Sequence, residues 1–168
     1  DVCSSDLVKL SNSREYYEYF GKQLANEEKE RLMLIILNGK KECIRYVCLE
    51  EGTKEAVRVE ALDIYDFCRE EGCNNVILLH NHPSSDCSPS PNDIKYTQTI
   101  YEDLLNFKIK LEDHIIVTQD SFYSFRDDNK LDFYDYMYKL RHRDKYADEI
   151  SQINENIFIY DAKKDKKE

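Results

Sequence analysis

Two of the chain's four histidines stand one residue apart, in His80-Asn81-His82-Pro83, directly after the apolar run 76–79. An extended strand places residues i and i+2 on the same side, so both imidazoles would face one point. Pro83 favours that extension, because the residue before a proline is pushed out of the helical region. Further along, Ser90 and Pro91 suit the start of a helix, serine as N-cap and proline in the first turn, and Asp93 falls within that turn. Two imidazoles and a carboxylate match the donor set of a hydrolytic zinc site, which takes three N or O ligands and keeps a fourth position for water. We therefore read His80, His82 and Asp93 as metal ligands and Zn2+ as the cofactor. Ser90 would fix the helix bearing Asp93, and its hydroxyl would donate to a developing oxyanion or to the activated water. A lone H-x-H could equally be a solvated turn. The weight lies in the whole run, from apolar strand through the Ser/Pro-rich loop to the helix.

These side chains need elements to hold them. Ser11 and Ser13 offer N-caps for a helix over 14–24, with Tyr16, Tyr17, Phe20 and Leu24 at helical spacing. After an acidic connector at 26–29, the apolar run 31–37 has strand length. The turn pair Asn38-Gly39 links it to a hairpin partner at 42–49. A second turn at 51–53 and a short strand at 56–59 follow. The stretch 61–70 reads as a helix with Leu62, Tyr65, Phe67 and Cys68 on its apolar face and Gly72 as C-cap. The helix opened by Pro91 extends to about Asn106, with Ile94, Thr97, Tyr101, Leu104 and Leu105 inward. Strands at 107–111, 114–118 and 121–125 close the domain. Helices alternating with strands around an early hairpin predict an α/β fold, a mixed β-sheet flanked by helices.

The net charge is −10 over 168 residues, with 35% charged and 41% hydrophobic residues. Nucleic-acid binding draws on clustered basic residues that displace counterions; here acids interrupt the basic clusters, so nucleic acid is an unfavoured partner. Nothing approaches a membrane span, and the chain reads as cytoplasmic, with its six cysteines reduced. Residues 1–7 match the translation of a common sequencing-adapter end and are read as non-native. The segment 1–10 is therefore set apart from a zinc domain at 11–127. Residues 128–168 form a C-terminal helix, centred on 131–147, and a charged tail that is partly disordered over 161–168.

The spacing H-x-H-x7-S-x2-D, from His80 and His82 through Ser90 to Asp93, resembles the JAMM signature of the JAB/MPN metalloprotease superfamily. Together with Asp113-His-Ile-Ile-Val117 and Ser121-Phe-Tyr-Ser-Phe125, the HNHPS run resembles the bacterial RadC-like branch, over roughly 30–126. The resemblance implies a JAB/MPN architecture related to cytidine deaminases, and a zinc held by His80, His82 and Asp93. It also implies an upstream glutamate as general acid/base where the first strand begins. Glu30 holds that place, with Glu27 and Glu28 as competitors. The implied activity is hydrolysis of peptide or isopeptide bonds by metal-activated water, with a protein or peptide as substrate. Two other readings stand beside it: a non-catalytic JAB-like interaction module, and a DNA-associated RadC-like factor. Deamination is set aside, since no H-x-E with P-C-x-x-C occurs. Ser85 replaces the glycine of the usual HNHPSG, a change that would strain a left-handed backbone. His114 reads as a sheet histidine held by hydrogen bonds, His142 as solvated, and Cys87 as a thiol inside the metal loop.

Overall fold

A strand that is apolar at every position needs cover on both faces. The computed structural model describes residues 7–49 and 59–164, of which 154–164 by backbone alone. In it β2 (Leu32–Leu37) is buried throughout and lies inside a six-stranded sheet. The other strands are β1 (Val8–Lys9), β3 (Glu42–Leu49), β4 (Asn75–Asn81), β5 (Lys110–Val117) and β6 (Phe122–Ser124). Their order is β1-β3-β2-β4-β5-β6; β4 and β5 run parallel, and every other neighbouring pair is antiparallel. The helices are α1, α2 (Ala61–Glu71), α3 (Pro91–Asn106), α4 (Lys130–Arg141) and α5 (Arg143–Lys164). Helix α1 covers 13–24 in three consecutive pieces: Ser13–Tyr16, a π-helical Tyr17–Gly21, and Lys22–Leu24. This is the mixed α/β sheet with flanking helices that the sequence predicts.

Side-chain alternation sorts the core. Ile35, Leu37, Ile77, Leu79, Ile115 and Val117 cluster with Tyr16, Tyr17, Phe20 and Leu24 of α1. Gly21 permits that close approach, since a Cβ there would lie 2.9 Å from both Tyr17 Cδ2 and Val117 Cγ1. The alternate residues Leu34, Ile36, Leu78 and Ile116 are also buried and face the opposite side. His80 and His114 share their parity, and α3 lies on that side. The β4–α3–β5 crossover thus sets a helix N-terminus beside the carboxyl ends of two parallel strands.

Several local expectations change. The side chain that caps α1 is Asn12, which accepts from Glu15 N–H, not Ser11 or Ser13. In the hairpin turn the left-handed residue is Lys41 (φ 64°), while Asn38 Oδ1 accepts from Lys40 and Glu42 N–H. Leu62 is 55% exposed and Ile94 36% exposed. The buried stripe of α2 runs through Ala61, Ile64 and Cys68, which leaves Leu62 off the face. Ile94 lies in the first turn of α3, ahead of the buried stripe that begins at Thr97. Lys110–Val117 is one strand rather than the ends of two, because Phe107 instead caps α3 through its N–H to Leu104 O. Val8–Lys9, inside the segment set apart at the N-terminus, pairs with β3.

The turn at 51–53 and most of the strand at 56–59 lie outside the described residues, as do residues 1–6; Val59 is not in a strand. The chain divides into two compact units, Asp1–Leu131 and Asp132–Glu168. The second is helical, with Lys139 held 2.8 Å from both Asp135 and Glu149. Its helix is broken between Arg141 and Arg143, and α5 continues to Lys164, into the stretch read as tail. The five described cysteines are free. Among the described residues no helix is long and apolar enough to cross a membrane.

Candidate metal centre

Strand β4 does not stop at Leu79. It continues through His80 and Asn81, pairing His80 with Leu32 of β2 and Ile116 of β5. His82 N–H then donates to Val117 O at 2.9 Å, which keeps the backbone extended for one more step. His80 and His82 consequently project to one side. Asp93 arrives from α3 through a capping box: its N–H donates to Ser90 Oγ at 3.1 Å, and Ser90 N–H donates to Asp93 Oδ2 at 2.8 Å. The meeting point is the carboxyl end of the parallel pair, where α/β sheets commonly place ligand sites.

The three side chains form a compact group, each offering a ligand atom within 4.8 Å of the others. His80 Nε2 lies 3.0 Å from His82 Nε2 and 3.4 Å from Asp93 Oδ1, and His82 Nε2 is 3.3 Å from Asp93 Oδ2. The outer ring nitrogens face away from this point. His82 Nδ1 donates to Asp86 O at 2.9 Å, and His80 Nδ1 stands 2.8 Å from His114 Nε2. Two inward nitrogens and a carboxylate fit a borderline cation such as zinc. Burial alone would raise the Asp93 carboxyl, but the His80 and His82 rings beside it outweigh burial and hold the group well below the usual carboxylate range. The hydrogen bond to Asp93 raises the His82 pKa against the opposing effect of burial.

Glu30 sits just before β2, two residues from the partner of His80, and is exposed. Its charge contributes to the raised pKa of His82, so it lies within electrostatic reach of the group. Glu27 is engaged elsewhere, accepting from Arg31 Nε at 2.8 Å. Glu28 and Glu27, with His82, Pro83 and Asp120, line a cleft of about 330 Å³ beside the histidines. Ser85 is not among the described residues with positive φ, so its replacement of glycine brings no left-handed strain. Cys87 donates to Ser121 Oγ at 3.4 Å.

Two features escape sequence reasoning. Asn81, between the histidines, is buried with its side chain turned to the other face of the sheet from them. Its Nδ2 donates to Glu27 O and Lys29 O at 3.1 and 3.0 Å, and its Oδ1 accepts from Arg31 N–H at 2.7 Å. Asn81 thereby ties down the connector that bears Glu30. The second is His114, which is buried and bonded as a sheet histidine should be, but its partners are His80 and Thr97. Its ring stacks on Phe125 with centroids 5.2 Å apart and planes 10° apart. Burial drives its pKa well below the ordinary histidine value.

A family described as the RadC-like JAB domain matches residues 10–131. The chain is 32% identical over 123 residues to a UPF0758 protein of Chlorobium phaeovibrioides, covering 73% of this chain and 55% of that one. It is 34% identical over 122 residues to a UPF0758 protein of Chlorobaculum tepidum, covering 71% and 54%. A Fusobacterium nucleatum UPF0758 protein is 32% identical over 124 residues, covering 74% and 53%. The chain spans about half the length of these relatives.

Proposed function

The chain belongs to the RadC-like JAB domain family, and from that premise we propose that it is a zinc-dependent hydrolase of peptide or isopeptide bonds. The observation behind this reading is the convergence of His80 Nε2, His82 Nε2 and the Asp93 carboxylate, with both outer ring nitrogens already engaged. Zinc held there would polarise a carbonyl and activate water for attack. Glu30 would take the proton of the attacking water on its carboxylate and return it to the leaving amine. Asn81 supports that role by fixing the backbone on both sides of Glu30, through Lys29 O and Arg31 N–H. Ser90 Oγ accepts from Asp93 N–H through a lone pair, which leaves the hydroxyl proton available to an oxyanion.

The test begins with metal content. Zinc near one equivalent in wild type, lost in His82→Ala, is the expected result. Purified protein is then screened against peptide and isopeptide-linked substrates, with Glu30→Gln and Glu28→Gln compared on whatever is cleaved. Glu30→Gln should keep its zinc and lose activity by about 10²–10⁴-fold, the range for general acid–base groups, and Glu28→Gln should not. Zinc retention with no cleavage by wild type would favour the interaction module. Loss in Glu28→Gln alone would move the base to Glu28.

A further inference from the structure

We propose that His114 and Thr97 form a one-way hydrogen-bond relay that sets the tautomer of His80 and locks it to the helix bearing Asp93. The inference rests on reading His80, His82 and Asp93 as a metal site. Three contacts make the relay: His80 Nδ1 to His114 Nε2 at 2.8 Å, His114 Nδ1 to Thr97 Oγ1 at 2.7 Å, and Thr97 Oγ1 to Asp93 O at 2.6 Å. Each needs one proton, and the direction of all three follows from the last. The Asp93 carbonyl has no proton, so the Thr97 hydroxyl must donate to it. Thr97 has only that proton, so His114 Nδ1–H must donate to Thr97. The His114 ring is fully buried and bonded to no carboxylate that would compensate a charge, so it is neutral; it offers a lone pair at Nε2, and His80 must donate from Nδ1. His80 Nε2 is left with its lone pair facing His82 and Asp93, the form a metal requires.

The opposite tautomer of His80 breaks the sequence. A proton at its Nε2 would make Nδ1 an acceptor and reverse both histidine bonds. Thr97 would then have to donate to His114, leaving two bare oxygens 2.6 Å apart at Asp93. A threonine bonded to the carbonyl four residues earlier is common in helices. Here the same oxygen also receives a buried imidazole, stacked on Phe125 and therefore unable to turn freely. Thr97 and His114 are positioning residues: they touch neither the open side of the site nor its cleft. Their effect is to present His80 ready-made, and outer partners of ligating histidines typically contribute about 10–100-fold in metal affinity.

The test uses two variants and one spectrum. Long-range ¹H–¹⁵N NMR of the metal-free wild type should show His80 protonated at Nδ1. Thr97→Val keeps the shape and loses both hydrogen bonds, so by competition with a chelator it should bind zinc about 10–100-fold more weakly. Its His80 should show a mixture of tautomers. Thr97→Ser, which keeps the hydroxyl, should restore both the affinity and the spectrum. Protonation of His80 at Nε2 in wild type, or undiminished zinc affinity in folded Thr97→Val, would overturn the relay. Should Thr97→Val not fold, the wild-type spectrum decides alone. Wild type that binds no zinc would instead remove the metal reading, which the tautomer measurement does not depend on.

Discussion

A metal at His80, His82 and Asp93 must compete with a proton for His82. The hydrogen bond to Asp93 raises that histidine's pKa, so in the metal-free site the proton is held to a higher pH than in an isolated imidazole. Lowering the pH fills His82 with a proton that the cation has to displace, and affinity falls. Zinc affinity measured from pH 8 to 6 should decline steadily, with protons released on binding; a flat profile would contradict the geometry of the group. The grouping of these three side chains was legible in the sequence because two come from one strand end and the third from a helix start with a recognisable cap. Asn81 was not, since a spacer between two histidines has no pattern that shows which backbone it grips. Nor was the link from His80 to His114 and Thr97, which joins three elements far apart in the chain.

Among the elements, α1 shows how tightly the sheet is covered. Replacing Gly21 by alanine would set a methyl group 2.9 Å from Tyr17 Cδ2 and Val117 Cγ1. Overpacking of this kind costs about 1–3 kcal/mol, and chemical denaturation of Gly21→Ala should show a loss of that order. An unchanged midpoint would mean that the π-helical turn yields at no cost. Helices and strands with a strong pattern were legible: the β2–β3 hairpin, α2 with its glycine cap, and α3 with its Ser-Pro start. The two-residue β1 was too short to leave a periodicity. Strand β5 looked divided because polar Glu112 and Asp113 interrupt its apolar run. Asp113 and His114 are nonetheless buried, their polar groups satisfied within the fold.

At the scale of the whole molecule, the Asp113 carboxyl links stability to pH. Burial pushes it up to about 6, against hydrogen bonds from Ser124 and Arg126 that pull it down. Its ordinary value is 3.8, so between about 4 and 6 the folded chain holds a proton the unfolded chain has lost. This group's contribution to stability is therefore greatest at the acid end of that window and declines as pH rises through it. Denaturation profiles of wild type and Asp113→Asn should diverge across the window and run parallel above it. The parallel pairing of β4 with β5 has a consequence for the order of events in folding. Its contacts close a loop that contains the whole of α3, and such long-range pairings form late and slowly. Asp93 lies on α3, which Thr97 anchors to His114 of β5, so a cation held by His80, His82 and Asp93 would gain its full set of ligands only as this crossover closes. A ligand that binds only the finished fold stabilises interactions absent from the transition state. Stopped-flow measurements with and without zinc should find refolding at the same rate and unfolding slowed.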